Sequence, residues 1–143
     1  MAQAFASIDI PAAPDQVWKL IGGFGSLPDW IPAVPASELA AGGRVRRLPI
    51  PPGHLTIERL VAFDDVGRSY TYTIVEAPFP VSNYLSTLRV LDTDAGKSSR
   101  VEWSGRFTPN GVSDEEASKL FRGVYENGLE ALARAFGRKD HSL

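Results

Sequence analysis

Ser113 to Gly137 reads SDEEASKLFRGVYENGLEALARAFG, and this stretch decides the fold. Ser113 and Glu116 stand three residues apart, just ahead of an apolar run. That is the spacing of a capping box, in which each side chain meets an otherwise unpaired helix N–H. Leu120, Phe121, Val124, Leu129, Leu132 and Phe136 follow at helical spacing, and Gly137 suits the C-terminal cap. The pattern predicts a helix of about 24 residues, roughly 36 Å long at 1.5 Å per residue. A helix with one apolar stripe must bury that stripe against another layer.

The preceding residues supply a sheet. Phe5 to Ile10 alternates and is stopped by Pro11, which predicts a first strand. Pro14 to Ile21 predicts a short helix, broken by Gly22, Gly23 and Gly25, and Ser26 to Trp30 predicts another. Six strands follow, near Ser37–Ala41, Gly43–Leu48, Leu55–Phe63, Tyr70–Glu76, Tyr84–Leu91 and Val101–Phe107. Short turns such as Asp64-Asp-Val-Gly67 and Asp94-Ala-Gly96 join several of them, so the sheet should be antiparallel. The expected fold class is α+β, a helix-grip arrangement: a seven-stranded curved antiparallel sheet around a long C-terminal helix, as one domain over residues 1–143. A bent sheet and a single helix do not close everywhere, and the space between them is where a small ligand would bind.

Several segments carry a family resemblance. They are Ile10-Pro-Ala-Ala-Pro-Asp-Gln-Val-Trp18, Phe24-Gly-Ser-Leu-Pro-Asp-Trp30, Glu58-Arg-Leu60, Tyr70-Thr-Tyr-Thr-Ile-Val-Glu76, Tyr84, Arg100-Val-Glu-Trp103 and the long helix. Over nearly its whole length the chain resembles the START/Bet v 1-like (SRPBCC) superfamily, including its polyketide cyclase and dehydrase-like bacterial members. That resemblance implies an apolar ligand, lipid transport or cofactor-independent chemistry, according to the member. Glu-Arg-Leu, Tyr-x-Ile-x-Glu and Tyr-x-x-Thr are also locally similar to the lachrymatory-factor synthase group. There the resemblance makes Arg59, Glu76 and Tyr84 the counterparts of an arginine, a glutamate and a tyrosine implicated in catalysis.

Strand alternation singles out the same two charges independently. Arg59 shares the parity of Leu55, Ile57, Val61 and Phe63, and Glu76 that of Tyr72 and Ile74. On that parity both charges point inward, where a charge is costly unless paired or hydrogen-bonded. One reading is a structural ion pair or a place at the sheet rim. The other is a polar site, with Glu76 moving a proton and Arg59 polarising an oxyanion or simply holding the ligand. Tyr72, Tyr84 and Trp103 share inward parity and each offers an apolar body with one polar handle. Phe79 and Ile50, in Pro-rich loops, are expected at the cavity mouth by the resemblance. Val124 joins the expected ligand-binding residues Arg59, Tyr72, Glu76, Phe79, Tyr84 and Trp103. Gly123 and Gly128 inside the helix either let it approach the sheet or sit on an exposed face.

Other classes are disfavoured. A net charge of -2 gives no basis for a nucleic-acid partner, which requires a basic surplus. The absence of cysteine excludes disulfides and thiolate sites and fits a cytoplasmic location. No apolar run approaches the roughly 18 residues of a membrane span. Gly22-Gly-Phe-Gly25 lacks the spacing of a phosphate loop. His54 and His141 do not make a metal site, and no cofactor is expected. Arg44, Arg46 and Arg47 read as a solvated strand edge. The expectation is therefore a monomer or homodimer that binds a small apolar or amphipathic molecule. The alternatives are a cyclase, dehydratase or isomerase acting on such a molecule, and a protein-interaction module.

Overall fold

The computed structural model describes residues 1–137. His141 lies outside them. Strand β1 (Ala2–Ile10) leads into helices α1 (Pro14–Ile21) and α2 (Leu27–Trp30). Strands β2 (Glu38–Ala40), β3 (Val45–Ile50), β4 (His54–Asp64), β5 (Ser69–Glu76), β6 (Val81–Thr93) and β7 (Ser98–Pro109) follow, then helix α3 (Asp114–Ala135). The strands form one antiparallel sheet in the order β1-β7-β6-β5-β4-β3-β2. The fold class read from the sequence is the one observed.

Local chemistry explains the elements. At α3 the Ser113 Oγ accepts the Glu116 N–H at 3.0 Å, so the cap holds as expected. β3 runs through Pro49, which the sequence places in a loop. β2 pairs only with Val45–Arg47, leaving the later half of β3 at a sheet edge, where proline is tolerated. At the β4–β5 turn the left-handed residue is Arg68, φ 56°, rather than Gly67. There Asp64 Oδ1 accepts the Gly67 N–H at 2.9 Å, and Asp65 takes the Trp18 indole N–H at 2.7 Å.

The position of α3 on the sheet creates the site. The inward face of β1 carries Ala2, Ala4 and Ala6, all buried. These small side chains let α3 lie close over β1, with β7 and α2 its next neighbours. Gly128 continues this close approach, since a Cβ there would meet the Trp103 ring at 2.7 Å. A helix drawn to the β1 side leaves the inward faces of β3, β4 and β5 only partly covered.

Two register shifts correct the expected strand faces. Ile57 pairs with Glu76 but Glu58 with Ile74, which makes Val75 an extra residue in β5. Leu60 pairs with Tyr72 but Ala62 with Thr71, which makes Val61 an extra residue in β4. A one-residue bulge exchanges the two faces of a strand. Tyr72 and Ile74 therefore face inward while Glu76 shares the outer face with Ile57. In β4 the inward residues before the bulge are Thr56, Glu58 and Leu60, and Arg59 points out. Both Arg59 and Glu76 are exposed.

Candidate functional site

A cavity of about 640 Å³ lies between the sheet and α3. Its walls come from Leu48 and Ile50 of β3, Thr56 and Glu58 of β4, Tyr72 and Ile74 of β5, Tyr84 of β6 and Trp103 of β7. Phe121, Val124, Gly128 and Ala131 of α3 face them. Leu27 of α2, the segment Ile31–Val34 and the loop residue Phe79 contribute the remaining apolar lining. Val124 is half-exposed and sits at the rim, beside the polar residues Asn127, Glu130 and Arg134. A concave, mostly apolar space with a few convergent polar groups is the usual form of a small-molecule site.

Tyr72, Phe79, Tyr84, Trp103 and Val124 therefore meet around one space, while Arg59 and Glu76 lie outside it. The charged pair at the cavity is a different one. Arg46, directly across from Glu58 in the β3–β4 register, is 0% exposed, which corrects its reading as a solvated edge residue. Its Nε and Nη2 each stand 2.7 Å from Glu58 Oε1. Its Nη1 donates to the Phe24 carbonyl and to the Tyr70 hydroxyl, both at 3.1 Å. The guanidinium also lies over the Phe24 ring at 4.2 Å and the Tyr72 ring at 4.8 Å. Burial opposes the charge, but Tyr70, Glu58 and Tyr72 outweigh it and hold Arg46 protonated, above the ordinary arginine pKa. The Gly22–Gly25 turn thus supplies both a carbonyl and an aromatic face to this arginine.

Behind the pair runs a chain of hydroxyls. The Trp103 indole N–H reaches the Tyr72 oxygen and the Ser86 Oγ, each at 3.1 Å. Tyr84 and Tyr125 share a 2.5 Å hydrogen bond, Tyr125 donates to Ser86 Oγ at 3.4 Å, and Ser86 donates to the Ser104 carbonyl at 2.8 Å. Gly105 makes room for Tyr125, since a Cβ there would collide with its hydroxyl. Burial pushes the Tyr72 and Tyr84 hydroxyls well above the ordinary tyrosine pKa. At Tyr72 the Glu58 charge adds to the effect, and at Tyr84 the neighbouring Tyr72 and Tyr125 do. Burial also raises Tyr125, partly offset by its bonds to Ser86 and Tyr84. All three are neutral hydroxyls at physiological pH.

Among the described residues there is no cluster of three His, Asp or Glu side chains that would hold a metal, and no helix long and apolar enough to cross a membrane. A signal for Arg46 was available in the sequence: it stands two residues before Leu48, a buried apolar position on the same strand face. Nothing comparable marks Glu58, because the Val61 bulge hides that the strand's later apolar residues lie on the other parity.

A sheet gripping a helix over a mostly apolar cavity defines the START/Bet v 1-like class. Residues 1–137 match the family described as polyketide cyclase / dehydrase and lipid transport, and the chain belongs to that family. It is similar to the protein XoxI from Bacillus cereus, with 57% identity over 95% of this chain and 96% of that one, at a TM-score of 0.92. A putative uncharacterized protein from Bacillus thuringiensis is 55% identical over 94% of this chain and 98% of that one, also at 0.92. A START superfamily protein from Mycobacterium smegmatis, 12% identical over 96% of this chain and 99% of that one, has a TM-score of 0.78 and shares the fold.

Proposed function

We propose that this protein binds one small, largely apolar molecule in the cavity between the sheet and α3. The observation that carries the reading is the Arg46–Glu58 pair set in the wall of a mostly apolar space of about 640 Å³. Apolar side chains supply the driving force for burying the ligand body. The pair and the Tyr72–Tyr84 hydroxyls fix its orientation. The family description, which joins cyclisation with lipid transport, supports a ligand of this kind.

The same wall favours a second reading, a cyclase or dehydratase acting on the bound molecule. Glu58 is a carboxylate at an apolar wall, positioned by Arg46, and is the proton acceptor there in place of Glu76. Tyr84 remains a candidate hydroxyl on the same cavity, reached from Glu58 by way of Tyr72. The interaction-module alternative would need a core filled with side chains and gains nothing from a cavity of this size.

Nile red fluorescence tests the binding reading. One-to-one saturable enhancement is expected for the native protein, and its loss in Val124→Trp, which places a bulky ring at the rim without touching the buried core. No enhancement, or equal enhancement in the variant, contradicts the proposal.

A further inference from the structure

Hydrogen-bond accounting at the cavity wall narrows the ligand's polar group. Four of the five guanidinium N–H bonds of Arg46 are already engaged. Nε and Nη2 serve Glu58 Oε1, and Nη1 serves the Phe24 carbonyl and Tyr70. Glu58 uses Oε1 for both contacts, and its Oε2 takes no part in the pair.

The hydroxyl chain has a direction. Ser86 gives its proton to the Ser104 carbonyl, and Tyr125 gives its own to Ser86. Tyr125 has one proton, so the 2.5 Å bond from Tyr84 is donated by Tyr84. The Tyr84 oxygen therefore remains an acceptor. Its one neighbour on the Tyr72 side is the Tyr72 hydroxyl at 3.5 Å, the outer limit of a hydrogen bond. The wall thus offers a ligand a carboxylate oxygen at Glu58 Oε2, a second acceptor at Tyr84 and a hydroxyl donor at Tyr72. Beside Glu58 it offers no unpaired cation among the described residues, since Arg46 is held by that carboxylate and the exposed Arg134 lies at the rim. Arg46 serves as the counter-ion of Glu58 and is not a socket for a ligand carboxylate.

We propose that the cavity selects a neutral apolar molecule bearing a hydroxyl, an alcohol or a phenol, and rejects the corresponding carboxylate. The inference rests on the binding reading above. The ligand hydroxyl donates to Glu58, and the neutral head group leaves the Arg46–Glu58 pair balanced where a ligand carboxylate would add a net negative charge at the buried wall. A buried arginine beside an apolar cavity would ordinarily suggest a fatty-acid carboxylate, so the two expectations oppose each other.

Equilibrium dialysis at pH 7 with 2-naphthol, 2-methylnaphthalene and 2-naphthoate decides between them. A hydrogen bond to a charged acceptor should favour the naphthol over 2-methylnaphthalene by at least about tenfold. The naphthoate should bind more weakly than either. Glu58→Gln should shrink the gap between naphthol and naphthoate. Should that variant not fold, the ranking in the native protein still decides, because an unpartnered hydroxyl would weaken the naphthol below 2-methylnaphthalene. Naphthoate binding as tightly as naphthol, or 2-methylnaphthalene binding more tightly than naphthol, overturns the selectivity while leaving the cavity reading intact. An unchanged preference in folded Glu58→Gln overturns the role of Glu58. Binding by none of the three sinks both.

Discussion

Replacing Glu58 by leucine strands the Arg46 guanidinium. Arg46 would keep its bonds to the Phe24 carbonyl and Tyr70 but lose both contacts to Glu58 Oε1. With Arg46 fully buried, its charge is left without a counter-ion. Breaking such a pair by removing one partner costs about 3–5 kcal/mol. Against a typical total of about 5–15 kcal/mol, that is about a fifth or more of the stability. Urea unfolding followed by circular dichroism reads it directly, as a midpoint lowered by about 2 M for an m-value near 2 kcal/mol/M. The double variant Arg46→Met with Glu58→Leu removes both charges and fills the space with apolar atoms. It should recover most of the loss, giving a coupling of about 3 kcal/mol in the double-mutant cycle. A single-variant cost under about 1 kcal/mol, or a double variant worse than either single, would refute the claim that the pair is a mutually dependent buried unit.

Three further outcomes follow from the packing. Gly105→Ala should cost about 1–3 kcal/mol in thermal unfolding because its Cβ meets the Tyr125 hydroxyl, and Tyr125→Phe in the same chain should restore most of it. Gly123→Ala, with nothing within 4 Å of the added carbon, should stabilise α3 by up to about 1 kcal/mol. Gly128→Ala, against the Trp103 ring, should destabilise, and equal effects at the two glycines would contradict the helix placement. The raised Tyr72 and Tyr84 favour the folded state up to the ordinary tyrosine pKa of about 10 and lose that contribution above it. Stability should therefore fall above about pH 10 by about 1.4 kcal/mol per pH unit for each such tyrosine. The slope should be shallower in Tyr72→Phe, as measured by denaturant midpoints across that range.

The fold was legible because its signals are local. The Ser113 cap, the apolar stripe of α3 and the turn residues between strands each act within a few positions. Tyr72, Tyr84 and Trp103 were legible for the same reason, since unbroken alternation carries each to the buried face. Arg59 and Glu76 were misplaced because Val61 and Val75 are apolar β-formers with no mark of a bulge, and each shift reverses the face of its neighbours. Arg46 was misread because three arginines within four residues look solvated. Its partner is a cross-strand residue that becomes visible only once the register is known.

The central claim is that the space between the sheet and α3 takes up an apolar molecule. Amide and indole chemical-shift mapping during titration with 2-methylnaphthalene tests it most directly. The account predicts saturable shifts at the Trp103 indole N–H, Gly128 and Leu48, with Phe5, Val61 and Val75 on the outer face unmoved. Shifts confined to the outer face, or none at the Trp103 indole, would contradict it.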